Sequence, residues 1–213
     1  MATGTTLSPE LAYPRPLDDS LYEVVNGVVV FPREVREETD EGTFENSLYE
    51  VVNGIRVETP MANDAVAVNT ELGSQLQRHA RIAGIGRVWL EGLFLLKPDA
   101  TNKRRPDIAF VSYERWPREK RFPKGAAWPV APDLAVEVVS PSDFAEDSLA
   151  KIREYFDAGV RQVWAVYPEL QVIHVYESFT SIRVVSGQDI LRGGEVVPGF
   201  EISLQTLFED LGE

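Results

Sequence analysis

Two nearly continuous apolar runs, Asp133-Leu-Ala-Val-Glu-Val-Val139 and Val163-Trp-Ala-Val-Tyr167, constrain the fold of this chain most. A strand covered on one face alternates apolar and polar residues. A strand covered on both faces reads as an almost unbroken apolar stretch. Between the runs lies Ser142 to Ala158, a helix-length segment with Ser142 or Asp143 as N-terminal cap and Gly159 as its stop. One helix joining two buried strands is a βαβ unit, so the predicted class is α/β, with a twisted sheet flanked by helices.

A carboxylate interrupts the first run. Glu137 stands between Val136 and Val138, and Asp107 opens a second apolar strand, Ile108 to Ser112, directly after Pro106. An ionised carboxylate in a buried strand costs several kcal/mol unless it is paired or holds a metal. The alternative is an edge strand whose Glu137 faces solvent. Two carboxylates on adjacent strands suit a hard divalent ion: magnesium takes oxygen ligands, commonly one or two carboxylates completed by water and substrate phosphate.

The rest of the chain fits around this unit. Asn63 or Asp64 caps a predicted helix to about Ala83, with Val68, Leu72, Leu76 and His79 at spacings of three and four. Five apolar runs of strand character follow: Val88 to Leu96, Ile108 to Ser112, Leu134 to Ser140, Gln162 to Tyr167 and Val172 to Tyr176. The tail ends in a short amphipathic stretch at Leu204, Leu207 and Phe208. Upstream, Ser20-Leu-Tyr-Glu-Val-Val-Asn-Gly27 recurs as Ser47-Leu-Tyr-Glu-Val-Val-Asn-Gly54. Asn-Gly followed by alternating residues predicts a β-hairpin in each copy. The acidic stretch Pro32 to Asn46 between the copies reads as a loop. Residues 1–44 are thus assigned to an N-terminal extension and 45–213 to the main domain.

Charge narrows the possible partners. The net charge is −13, which opposes nucleic acid on average, and residues 1–60 hold twelve acids against four bases. Residues 97–124 reverse the balance, with nine bases against four acids. That segment is either a phosphate-facing surface or a solvated loop face. Trp116 and Trp128 flank it and either stack on bases or pack beneath the loop. With no cysteine, disulfides and thiolate chemistry drop out. No stretch is long and apolar enough to span a membrane, and Met1 to Pro16 has no signal-peptide pattern, so a cytoplasmic protein is expected. The two histidines, His79 and His174, read as structural, and no phosphate-binding or dinucleotide-binding glycine motif is present.

Arg105-Pro-Asp-Ile-Ala-Phe-Val-Ser112, followed by Pro132-Asp-Leu-Ala-Val-Glu-Val-Val-Ser-Pro-Ser142, resembles the PD-(D/E)XK nuclease superfamily. With Lys151-Ile-Arg-Glu-Tyr-Phe-Asp-Ala-Gly-Val-Arg-Gln-Val-Trp164, the hairpin Leu48 to Gly54 and Val197-Pro-Gly-Phe200, the chain is similar to the Uma-type restriction endonuclease family over roughly residues 47–210. The resemblance implies a restriction-endonuclease-like core and a metal-dependent endonuclease acting on nucleic acid, with DNA as the expected substrate and a homodimer as the expected assembly. It implies Mg2+ or Mn2+ on Asp107 and Glu137. The usual lysine position is Val139, so the family's displaced lysine falls on Lys151, at the flank of the predicted helix face formed by Ile152, Tyr155 and Phe156. The other reading of Lys151 is a solvated surface lysine. Glu50 matches the family's hairpin acid, as does Glu23 in the first copy; Glu50 is favoured because it precedes the long helix. A frequent histidine of that helix is replaced by Asn69, which cannot act as a general base. Glu71 and Glu91 are further acids of open orientation. The alternative function is a catalytically weak or inactive nuclease-fold domain that binds or regulates.

Overall fold

The computed structural model describes residues 49–52, 64–97, 102–122, 127–140 and 143–209 in full, and residues 23–25, 28–30, 35–36, 55–58 and 63 as backbone elements. Contacts divide the chain into two units, Met1–Arg33 and Glu34–Glu213. The first contains one antiparallel hairpin, β1 (Glu23–Val25) with β2 (Val28–Val30), closed between Val25 and Val28. The turn residues of this copy, and those of its duplicate, lie outside the described residues.

The second unit begins with a small antiparallel sheet of β3 (Val35–Arg36), β4 (Tyr49–Val52) and β5 (Ile55–Glu58), in the order β3-β5-β4. The duplicated segment is therefore a hairpin here too, with Val52 opposite Ile55. The stretch 32–46 is not wholly a loop, because Val35 and Arg36 pair with Val57 and Arg56. Two further hydrogen bonds between Val51 and Lys103 tie β4 to the chain just before Asp107.

Next come α1 (Asn63–Ala83), β6 (Gly86–Leu90), β7 (Ile108–Ser112), β8 (Leu134–Val138), α2 (Ala145–Asp157), β9 (Gln162–Tyr167), a 3-10 turn (Pro168–Leu170), β10 (Val172–Ser178), β11 (Ser181–Ser186), β12 (Ile190–Arg192), β13 (Glu201–Ser203) and α3 (Leu204–Phe208). Six of these strands form one sheet in the order β11-β10-β9-β8-β7-β6. β8 and β9 are parallel, as the intervening α2 requires, and the other pairs are antiparallel.

Strand alternation sends side chains to two cores. Ile108, Phe110, Leu134, Val136 and Trp164 pack with Val68, Leu72 and Leu76 of α1. Ala109, Val111, Ala135, Val163 and Ala165 pack with Ile152 and Tyr155 of α2. This is the mixed sheet flanked by two main helices, the restriction-endonuclease-like arrangement.

Three further points differ from the sequence expectation. The run Val88 to Leu96 is not one strand: β6 ends at Leu90, because Glu91 takes φ +53° and turns the chain. Asp143 does not cap α2, which starts at Ala145 with Phe144 as its N-cap; the Asp143 carboxylate accepts the Ser140 N–H instead, and Ser142 lies outside the described residues. Beyond β10 the chain adds β11, β12 and β13. β11 is an edge strand with only Val185 buried, so it lacks the apolar run that marked the others.

Candidate active site

Glu137 lies on β8, with β7 and β9 on either side, so the edge-strand alternative fails. It shares a face with Ala135, the face that α2 covers. Its side chain is 14% exposed. The β7–β8 register pairs Ile108 with Val136. Continued by one residue, it sets Asp107 opposite Glu137, and the Asp107 Oδ2 accepts the Val138 N–H at 2.5 Å. The β6–β7 register pairs Leu90 with Ile108, and Glu91 N–H donates to the Asp107 carbonyl at 3.0 Å. Three acids thus stand in a row across the ends of three neighbouring strands.

Lys151 enters from α2. Its side chain is 17% exposed, and its Nζ lies 3.0 Å from Glu137 Oε2 and 3.3 Å from Glu50 Oε1. One turn on, Tyr155 donates its hydroxyl to Glu137 Oε1 at 2.6 Å. A helical spacing of four puts both residues on one face. Lys151 is therefore not a solvated surface lysine.

Glu50 is the hairpin acid that reaches this site, and its side chain is 1% exposed. It accepts the Arg105 N–H at 2.8 Å and lies 3.2 Å from Arg104 Nη1. Arg104 also holds Glu154 of α2 at 2.6 Å. Arg105 donates from Nε to the Tyr49 carbonyl at 2.9 Å and from Nη1 to the Glu91 carbonyl. Asn69 of α1 donates to Glu91 Oε1 at 3.3 Å. The side chain of Glu23 lies outside the described residues. Glu71 accepts a hydrogen bond from Gln75, one turn on along α1, at 2.7 Å.

The electrostatics separate these groups. Burial, then the Glu137 charge, pushes Asp107 well above the usual carboxylate range. Burial raises Glu137 as well; Lys151 pulls it back and Glu50 adds to the rise, with a net upward shift. Glu91 is raised by burial to about 7, although Arg105 opposes it. Burial would also raise Glu50, but Lys151 and Arg104 outweigh it and hold that carboxyl low. Burial would lower the Lys151 amine, but Glu137 and Glu50 together raise it, so it is cationic at neutral pH.

Among the described residues no three His, Cys, Asp or Glu side chains converge as a ready cation cage. The fit rests on the smaller set that magnesium needs. Asp107 and Glu137 are buried oxygen donors whose charges repel each other, and a hard cation between them removes that penalty.

Sequence reasoning left Glu91 open and missed the roles of Arg104, Arg105 and Tyr155. Strand register would have found Glu91. The inward turn of Arg104 has no local signal, because its partner Glu50 is 54 residues away. The basic segment is correspondingly smaller at the surface. Arg104 and Arg105 serve the site, and Arg115 binds Asp133 and the Ala131, Pro132 and Gly159 carbonyls. Lys97, Arg118, Lys120 and Arg121 are exposed, and Lys124 lies outside the described residues. Trp116 and Trp128 are each 7% exposed and pack on one another, with Trp128 also stacked on Phe94, so they pack beneath the loop. His79 bonds the Pro198 carbonyl and packs against Phe200, while His174 lies between Tyr167 and Tyr176.

Residues 37–205 match the protein family Uma2, described as "Putative restriction endonuclease". Among solved structures, the chain is similar to one titled a putative nuclease belonging to DUF820 from Anabaena variabilis, with a TM-score of 0.67 and 22% identity over 77% of this chain and 91% of that one. No curated protein matches the chain. Among the described residues no helix is long and apolar enough to cross a membrane.

Proposed function

We propose a function from one fixed premise: the chain belongs to the Uma2 family of restriction-endonuclease-like proteins. We read it as a metal-dependent endonuclease that hydrolyses phosphodiester bonds, with DNA as substrate. The observation that carries this reading is Lys151 Nζ, 3.0 Å from Glu137 Oε2, beside an Asp107 carboxylate fixed by the Val138 N–H.

Asp107 and Glu137 would hold Mg2+ or Mn2+, which when bound supplies a charge that polarises the phosphodiester and eases deprotonation of the attacking water. The remaining work falls to the side chains. Tyr155 and Lys151 fix the two Glu137 oxygens. The Glu137 and Glu50 charges favour the protonated Lys151 amine. It can stabilise negative charge as that charge develops on the phosphate. Glu50, ionised and buried, anchors the amine from the opposite side. A homodimer would set one such site on each strand of a duplex, and we take it as the working assembly, which sedimentation at working concentration tests.

The direct test is cleavage of plasmid and of single-stranded oligonucleotide with magnesium, manganese or chelator. Metal-dependent cleavage that disappears in Asp107→Ala, Glu137→Ala and Lys151→Ala supports the reading; equal cleavage by those variants overturns it. A second reading, a weak or inactive domain that binds or regulates, is favoured by Asn69 in place of histidine and by the net charge of −13. Calorimetry separates the two, since heat of magnesium binding that is lost in the Asp107→Ala, Glu137→Ala double variant belongs to the first.

A further inference from the structure

β6 is one edge of the six-stranded sheet, and a groove of about 460 Å³ runs between it and the C-terminal half of α1. Arg81 and Arg87 line it, with Gln77, Leu90, Tyr113 and Phe122. Among the described residues no carboxylate lines this groove, although the protein carries a net charge of −13. The inward-facing bases Arg104, Arg115 and Lys151 have carboxylate partners. Among the described residues Arg81 and Arg87 have none.

Arg87 is also held in place. Its Nη2 donates to the Arg118 carbonyl at 2.6 Å, and its guanidinium lies 4.7 Å from the Phe122 ring centre and 5.2 Å from that of Tyr113. Its buried Nη1 has no hydrogen-bond partner among the described residues. Tyr113 in turn carries the Arg118 guanidinium on its ring at 5.0 Å. One guanidinium held against aromatic rings, Arg87, and an exposed one, Arg81, beside the exposed apolar side chains Leu90 and Phe122 match an anionic ligand with a hydrophobic frame. A sugar-phosphate backbone has that composition.

The groove and the acid row adjoin along β6 and α1. Leu90 lines it and Glu91 follows directly, while Asn69 of α1 touches Glu91. From Asn69, Gln77 and Arg81 lie about 12 and 18 Å further along the α1 axis at ~1.5 Å per residue. At ~3.4 Å per base pair, that is roughly four to five base pairs of duplex. We infer that Arg81 and Arg87 form a backbone-phosphate subsite for the strand flanking the scissile phosphate. This inference rests on the nuclease reading. It places the electrostatic footprint on the α1–β6 groove and not on the nine-base segment as a whole.

The experiment is fluorescence anisotropy of a labelled duplex against salt, with calcium in place of magnesium, for wild type, Arg81→Ala, Arg87→Ala, Arg87→Lys and the double alanine variant. Plasmid cleavage by wild type in magnesium runs alongside. Each alanine should lower the slope of log K against log salt by about 1, so the loss of affinity from ~50 to ~200 mM salt shrinks roughly fourfold per arginine. Arg87→Lys should keep the slope. If Arg87→Ala does not fold, exposed Arg81 carries the test alone. A wild type that cuts, beside a folded double variant with unchanged slope, overturns the subsite and leaves the nuclease reading standing. A wild type that neither binds nor cuts overturns both. A double variant that changes only from dimer to monomer in sedimentation makes the groove a copy–copy interface and overturns the subsite.

Discussion

The Lys151 amine bridges two acids that repel each other, standing 3.0 Å from Glu137 Oε2 and 3.3 Å from Glu50 Oε1. Removing it leaves both carboxylates facing one another in a mostly dry pocket. Lys151→Met should therefore destabilise the protein by roughly 3 kcal/mol, the lower end for a broken buried pair because the amine retains some exposure. Loss of the charge should also lower kcat about 100-fold or more. Urea unfolding at pH 7 and single-turnover cleavage check the two effects, and a variant as stable as wild type would remove Lys151 from the network.

Asp107 poses the opposite case. Burial and the Glu137 charge already disfavour its ionised form. Asp107→Asn removes that repulsion while keeping the shape, so the metal-free variant should melt at or above the wild-type temperature while cleavage is lost. Such a trade of function against stability is common where a site stores unfavourable charge. A clear drop in melting temperature would mean that the carboxylate stabilises the fold and that its repulsion is minor.

Glu91 gives this site a pH signature. Its carboxyl is raised from 4.5 to about 7. Between those values the native protein holds more protons than the unfolded chain, so stability falls as pH rises through that window. Glu91→Gln lacks the titration. In chelator, the melting temperature of the variant relative to wild type should climb from pH 4.5 to 7 and then level off. A gap that stays constant over this range would contradict the assignment.

How much of this was legible in the sequence depended on whether the signal was local. The β8–α2–β9 unit could be read because apolar runs and Gly159 are local features. Asp107 and Glu137 stood out as charges inside such runs. Lys151 needed the family resemblance, since its helix position allowed either orientation. The positive φ of Glu91 could not be read, because glutamate has no propensity for that conformation and tertiary contacts impose it. β11 escaped notice because an edge strand such as Ser181-Ile-Arg-Val-Val-Ser186 need not be apolar. The basic segment misled most, because charge counts do not say which guanidinium groups turn inward.

Tyr155 is the simplest probe of Glu137. Its hydroxyl donates to Glu137 Oε1 at 2.6 Å and lowers that carboxyl's affinity for protons. Tyr155→Phe keeps the buried ring and should cost only about 1 kcal/mol of stability. It should also raise the Glu137 pKa, so the acid limb of the pH–rate profile moves to higher pH. An unchanged limb would place the rate-limiting ionisation elsewhere.

Arg104 lies in the basic segment but faces inward, 9% exposed and clamped between Glu50 and Glu154. If it met DNA phosphates, Arg104→Ala would flatten the salt dependence of binding by about 1 in slope and leave stability nearly untouched. The structure calls for the reverse. Taking away the guanidinium leaves buried Glu50 with only the Lys151 amine and the Arg105 N–H and should cost about 3 kcal/mol, with the salt slope unchanged in whatever protein remains folded. Arg104→Lys should recover only part of that stability, because one ammonium cannot reproduce the guanidinium fork that reaches both acids. Urea unfolding and the salt series, measured on the same preparations, separate the two roles.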